Sequence, residues 1–162
     1  MGLSGKKVVK LDIKFPGDVL HGLFRYKLAD LLIIAPEYLK TCELQEGEWG
    51  AVGSIIKWDY VLDGKKQGLK HNIEAVDEIN KLITFNIFDG DLMRVYKSFK
   101  AHVQVEGTGD SSTVTWTLEY EKMNEDVPDP DSIVEVAHNV TKYVGTRLNP
   151  DSVANIKIPQ LQ

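Results

Sequence analysis

The sequence predicts an α+β domain: a curved antiparallel sheet of seven strands, two short helices, and one long helix laid across the sheet near the C-terminus. Three observations predict it. Apolar residues recur at every second position in seven runs between residues 7 and 122, the period of half-buried strands. Glycine-containing turns at Asp63-Gly64, Asp89-Gly90 and Gly107 to Asp110 separate several of these runs, as hairpins require. After Lys122 the period lengthens to that of a helix, behind Pro128 and Pro130, which cannot donate to a sheet ladder.

The first run, 7–15, places Val9, Leu11, Ile13 and Phe15 on one face, and Lys10, Asp12 and Lys14 on the other. Pro16 and Gly17 end it. Asp18 is in place to cap a short helix over 19–26, and a second short apolar segment, 28–35, stops before Pro36. Residues 39–46 alternate again, with Cys42 and Leu44 on one side. The remaining strands are expected over 54–62, 67–77, 82–88, 95–107 and 112–122. Asp129 or Asp131 is expected to cap the long helix, in which Ile133, Ala137, Val140, Val144 and Leu148 recur at helical spacing. The acidic, proline-containing turn therefore swings the chain off the sheet edge and brings the helix across the sheet's face.

Composition bounds the function. One domain is expected of 162 residues, and 43% hydrophobic with 27% charged residues is ordinary globular usage. A formal charge of −5 argues against nucleic acid, since phosphate binding needs clustered Lys and Arg. Lys6, Lys7, Lys10 and Lys14 read as a solvated face. The single cysteine, Cys42, excludes an intramolecular disulfide and a cysteine metal site. No apolar run reaches the ~20 residues of a spanning helix, and none at the start reads as a secretory signal, so a cytoplasmic protein is expected. Asn139-Val140-Thr141 matches a glycosylation acceptor, but carries little weight without such a signal.

A bent sheet facing one helix leaves space between them, which small side chains or gaps turn into a cavity. Alternation aims Ile56, Trp58 and Tyr60 at that space, then Leu69, His71 and Ile73, then Ile83, Phe85 and Ile87. Phe99, Ala101 and Val103 follow, and after them Val114, Trp116, Leu118 and Tyr120. A solid core is the ordinary meaning of such alternation. Tyr60 and His71 are the informative residues, because a buried Tyr or His needs a hydrogen-bond partner, which in a cavity can be a ligand oxygen. His71 also titrates near ~6.5 when unperturbed and could act as a general acid or base.

Other motifs have plainer readings. The glycine loop Glu46 to Gly53 lacks a Lys-Ser or Lys-Thr ending and carries Glu46 and Glu48, so it reads as a structural turn rather than a nucleotide site. His21, His102 and His138 lack metal-ligand spacing, and His102 falls in the outward phase. Asp89, Asp91, Glu119, Glu121, Glu125 and Asp126 fall on turns or the outward face, and no G-x-S-x-G nucleophile motif is present.

Four stretches, MGLSGK at the start, EGEWGAVGSIIKWDYVLDGK (46–65), DGDLMRVYKSFK (89–100) and WTLEYEKMNEDVPDP (116–130), resemble the plant major latex protein-like family of the Bet v 1/PR-10 superfamily. The resemblance covers nearly the whole chain, as a single Bet v 1-like domain over 1–162 with 149–162 as an extended tail. It implies a helix-grip fold: the seven-stranded sheet, two short helices in a V, and the long helix over a hydrophobic cavity. It also implies a defence- or stress-related protein that binds hormones, steroids, fatty acids or specialised metabolites without metal or organic cofactor. The protein is then a monomer or weak homodimer. The alternative is a cofactor-free cyclase, isomerase or condensing enzyme, in which His71 or Tyr60 moves a proton. A third expectation is an interaction protein docking through Ile156, Ile158 and Leu161.

Expected ligand contacts are Leu28, Leu32, Tyr38 and Cys42 before the second half of the sheet. Trp58, Tyr60, Leu69, His71, Phe85, Ile87 and Phe99 follow on the strands, and Ala137, Val140 and Thr141 on the long helix. The segment 28–40 is more apolar than is usual in the family, at the place where the resemblance puts the pocket entrance.

Overall fold

A computed structural model describes residues 2–107 and 109–148; the tail over 149–162 lies outside the described residues. The strands are β1 (Ser4–Ile13), β2 (Leu39–Glu46), β3 (Ile55–Leu62), β4 (Lys65–Asp77), β5 (Leu82–Gly90), β6 (Tyr96–Glu106) and β7 (Ser112–Lys122). They form one antiparallel sheet in the order β1-β7-β6-β5-β4-β3-β2. From β2 to β7 each strand pairs with its sequence neighbour, as short turns dictate. β1 and β2 lie at opposite edges, so the chain between them must cross the sheet. It does so through α1 (Gly17–Tyr26), a 3₁₀ turn (Leu28–Asp30) and α2 (Leu31–Ile34). α3 (Asp131–Arg147) is the long helix. This is the α+β, helix-grip arrangement expected.

Bulges supply the curvature. Register shifts fall between Leu39 and Thr41 and between Leu44 and Glu46 against β3, and between Lys70 and His71 and between Ile73 and Ala75 against β5. Another falls between Tyr96 and Ser98 against β7. An extra residue on one strand bends it and raises its twist. At the end of β5, Gly90 takes a φ of 111°, and a Cβ there would stand 2.2 Å from the Gly68 carbonyl oxygen. Only glycine permits both that dihedral and that approach.

Both helix starts differ from expectation. Pro16 and Pro130 occupy the N-cap positions, and no side chain caps either helix. The Pro16 carbonyl accepts from the Val19 and Leu20 amides, at 3.1 and 3.3 Å. Asp18 and Asp131 therefore sit inside the helices, in the first turns, where a negative charge complements the helix dipole. Lys7 also differs. It shares the inward phase of β1 with Val9 and Leu11, and pairs with Asp129 at 3.3 Å and Asp131 at 3.4 Å, fastening β1 to the start of α3. Lys122 meets Asp129 at 2.6 Å from the β7 side.

The core comes in two parts. The larger joins the fully buried Val19, Leu20, Leu23 and Phe24 of α1 to Ile56, Ile73 and Ile83 of the sheet, and to Val144 of α3. The smaller gathers Tyr96, Phe99, Tyr120 and Val127 at the other end. Leu69 and Ala101 touch both. α3 packs chiefly on β1 and α2, and only lightly on β3 and β7. Much of the concave face therefore stands off from the helix, and the space between the two core parts is not filled.

Candidate functional site: the cavity between sheet and helix

That space is a cavity of about 190 Å³. Its walls follow from strand parity. On β3, Trp58 and Tyr60 point inward; on β4, Leu69 and His71; on β5, Phe85 and Ile87; on β6, Phe99 and Ala101; on β7, Trp116 and Leu118. α3 closes the top with Ala137, Val140 and Thr141, and Leu28 closes the α1–α2 side. No Asp, Glu, Lys or Arg is among the lining residues. Among the described residues, no three His, Cys, Asp or Glu side chains group as metal ligands would.

Eleven of the expected contact residues thus meet around one space: Leu28, Trp58, Tyr60, Leu69, His71, Phe85, Ile87, Phe99, Ala137, Val140 and Thr141. Three do not reach it. Leu32 packs against the main core from α2, half-buried. Tyr38 stacks on Tyr143, with ring centroids 6.5 Å apart, and its oxygen accepts from the Asn139 side-chain amide at 2.7 Å. That amide is the nitrogen a glycan would need. Cys42 packs on the core opposite Trp58 in the register, and burial pushes its thiol up to about 12, so it is neither thiolate nor wall. Leu31, Leu39, Leu62, Leu92, Ile133 and Val136 complete the lining. Ile133 is visible in the helical period, but Leu62 ends β3 and Leu92 lies in a 3₁₀ turn (Asp91–Arg94) after β5, where no period marks a face.

The polar groups of the cavity are few and specifically held. The Trp58 indole Nε1–H donates to His71 Nε2 at 2.8 Å, and both residues are buried. An indole nitrogen only donates, so Nε2 must offer its lone pair, and the neutral ring carries its proton on Nδ1. That Nδ1 has no partner among the described residues. Burial lowers the His71 pKa to about 4, with backbone groups of Asn72 and His71 opposing it, so the ring is neutral at pH 7. The ring also rests on Phe85, centroids 4.8 Å apart. Tyr60 donates its hydroxyl to Gln67 Oε1 at 3.2 Å; burial, then the Asp91 charge, raises its pKa and keeps it protonated. The Trp116 Nε1–H donates to Thr141 Oγ1 at 2.9 Å, linking β7 to α3 across the wall.

Tyr60 and His71 do not converge. On paired strands Tyr60 opposes Gln67, and Ile56 opposes His71, so they stand four residues apart, about 13 Å along the sheet. Elsewhere, His102 lies outward as its phase indicates, between Thr84 Oγ1 at 2.8 Å and the Glu119 carboxylate. The loop 46–53 is a structural turn. The Gly53 amide donates to the Ile73 carbonyl at 2.8 Å, and Arg25 Nε donates to the Gly50 carbonyl at 3.0 Å. A second, more polar groove of about 360 Å³ adjoins the cavity and shares Leu62, Leu92 and Ile133 with it. No described helix is long and apolar enough to cross a membrane.

Comparison with known proteins matches this architecture. The sequence profile described as "Pathogenesis-related protein Bet v 1 family" matches residues 2–151. MLP-like protein 34 of Arabidopsis thaliana is 40% identical over 141 residues, which cover 86% of this chain and 45% of that protein. The chain spans about half the length of the first curated relatives it matches. The crystal structure of major latex-like protein 151 from Panax ginseng superposes with a TM-score of 0.87 at 38% identity, covering 92% of this chain and all of that one. A norcoclaurine synthase mutant from Thalictrum shares the fold at a TM-score of 0.69 and 18% identity, over 90% of this chain and 97% of that one. The chain is a member of the Bet v 1 family, and its relatives there are major latex proteins and MLP-like proteins.

Proposed function

We propose that the protein carries small hydrophobic molecules in the cavity between its sheet and α3. The observation that carries this reading is a hollow of about 190 Å³ whose lining is almost wholly apolar and holds no charged residue. An apolar cavity of about 150 Å³ stays dry and takes benzene. A space of this size suits a single-ring guest rather than a steroid, since drug-sized pockets span about 300–1,000 Å³. A longer guest would continue past Leu62, Leu92 and Ile133 into the adjoining groove, whose walls bring Asp91, Arg94 and Asp129. Burial of apolar area at about 25 cal/mol per Å² supplies the affinity, and dissociation constants of about 10⁻⁵–10⁻³ M are expected for single-ring guests. One cysteine, held as an unpaired thiol, suits a cytosolic carrier.

An enzyme in the same cavity would need His71 or Tyr60 to move a proton. A ring whose pKa is about 4 is a weak base at neutral pH, and Tyr60 holds its proton. Their backbone positions lie about 13 Å apart along the sheet. These observations favour carriage over turnover. Calorimetric titration with ethylbenzene tests the proposal: saturable one-to-one binding with a negative heat-capacity change supports it, and heat of dilution alone overturns it.

A further inference from the structure

We propose that the tip of the β3–β4 hairpin is a flap over the mouth of the cavity, latched to α3 by the hydrogen bond from Ser132 to Asp63, and that this latch sets how fast guests exchange without setting how tightly they bind. The inference rests on the carrier reading and deepens it.

The mouth is located by the side chains that line two spaces at once. Leu62 of β3, Leu92 of the 3₁₀ turn after β5 and Ile133 of α3 face both the cavity and the adjoining groove, so they form the partition between the two. Each belongs to a different element. The partition therefore opens when one element moves away from the other two.

Two of the three are pinned. Asp129, just before α3, meets Lys7 at 3.3 Å and Lys122 at 2.6 Å, and the Pro128 carbonyl accepts from the Tyr96 hydroxyl at 2.8 Å. The 3₁₀ turn is held where Asp91 Oδ2 accepts from the Gly68 amide at 2.7 Å. The third element, the hairpin tip, overhangs the sheet. The β4–β5 ladder ends at the pair Leu69 and Gly90, and the β2–β3 ladder at Leu39 and Tyr60. Beyond them the ladder runs only within the hairpin, Val61 with Lys66 and Leu62 with Lys65, around a turn in which Asp63 and Gly64 take φ of 52° and 76°. A two-stranded ribbon is marginally stable by itself.

Among the described residues, one hydrogen bond joins that turn to α3: Ser132 Oγ donates to Asp63 Oδ2 at 2.7 Å. Asp63 follows Leu62 in the chain, and Ser132 precedes Ile133, so the bond sits beside the partition and holds its two sides together. The far end of α3 is fastened more heavily. Arg147 donates to the Ile34 carbonyl at 3.0 Å and pairs with Glu37 at 2.8 Å, and the Asn139 amide donates to Tyr38 at 2.7 Å. The side near 28–40, where the family resemblance puts the entrance, is thus the harder one to open. Ser132 and Asp63 line the groove but not the cavity, so an enclosed guest leaves the latch untouched. Breaking it lowers the barrier to entry and to exit alike.

The test follows ethylbenzene exchange on the purified full chain by proton relaxation dispersion, with affinity from calorimetry. Ser132→Ala should raise the association and dissociation rates by the same factor, about three- to tenfold, the range of one net hydrogen bond, and leave the dissociation constant unchanged. Ser132→Thr keeps a hydroxyl and should restore wild-type rates. Arg147→Gln loosens the far end of α3 and should leave both rates as they are. Amide hydrogen exchange gives a second reading: the hairpin tip, 62–67, should exchange faster in Ser132→Ala, while Val140 and Val144 of α3 keep their protection.

Unchanged rates or unchanged tip amides in Ser132→Ala, a rise in the dissociation rate alone, or equal quickening by Arg147→Gln overturns this inference and leaves the carrier reading standing. Absence of ethylbenzene binding to the wild type overturns both.

Discussion

Trp116 Nε1 donates to Thr141 Oγ1 at 2.9 Å, a bond from the inner face of β7 to the underside of α3. It holds the helix over the sheet at the place where packing is thinnest. Trp116 also meets Phe24 edge-on at 5.5 Å and stacks on Phe85 at 6.5 Å, so one side chain ties α1, β5 and β7 to the roof. Thr141→Val keeps the shape and removes the acceptor. Chemical denaturation should show a loss of about 1–2 kcal/mol, the cost of an unpaired and partly buried N–H. Trp116→Phe added to Thr141→Val should cost less than the sum of the two single changes, because the orphaned donor is then gone.

Stability should depend on pH through His71. An unfolded histidine takes up its proton near pH 6.5, whereas buried His71 resists protonation down to about 4. Between those values the unfolded chain binds more protons. The His71 contribution is therefore complete above pH 6.5 and declines as pH falls toward 4, by up to about 3 kcal/mol. Asp77, held below the usual range by the Asn80 backbone and side-chain N–H groups, loses its contribution at lower pH, as does Asp129 with Lys122 and Lys7. Denaturation midpoints measured from pH 7 to 4.5 should fall in the wild type and stay nearly level in His71→Gln.

Gly5 lies opposite Tyr120 in the β1–β7 register, and a Cβ on it would stand 2.4 Å from the Tyr120 ring. That ring cannot step aside freely, because Tyr96 meets it edge-on at 5.6 Å and Phe99 stacks on it at 6.1 Å. Gly5→Ala should cost about 1–3 kcal/mol by overpacking. Gly90→Ala should cost more, since the clash there is with the Gly68 backbone and the φ is positive. Thermal melts of both variants check the order.

Filling the hollow should separate stability from binding. Ala137 lines the cavity from α3, and leucine is nearly as good a helix former as alanine. Ala137→Leu should leave the melting temperature unchanged or slightly higher while weakening ethylbenzene binding at least tenfold. A solidly packed interior would give the opposite: a lower melting temperature from overpacking, with no binding to lose.

Much of the wall was legible because parity on a strand depends only on counting. Trp58, Tyr60, Leu69, His71, Phe85, Ile87 and Phe99 all point inward as alternation requires; the register shift beside His71 leaves the extra residue, Phe88, on β5 beyond Ile87, outside the runs that are counted. Counting fails where a bulge falls inside the run being counted. On β2 the shift between Leu39 and Thr41 brings Leu39 into the inward phase with Cys42, so Leu39 lines the cavity while Cys42 lies beyond it. The helix caps were misplaced by two positions at α1 and by one at α3, because prolines took the caps that aspartates usually hold. The hollow itself has no sequence signature. It exists because α3 leans toward β1 and α2, a packing choice spread over many side chains.

Intermolecular nuclear Overhauser effects between ethylbenzene and methyl-labelled protein test the carrier claim most directly. Contacts to the methyls of Leu69, Ile87, Leu118 and Val140, from four different walls of one space, are the predicted result. Contacts confined to exposed methyls such as Ile33 and Ile79, or no contacts at saturating guest, would contradict it.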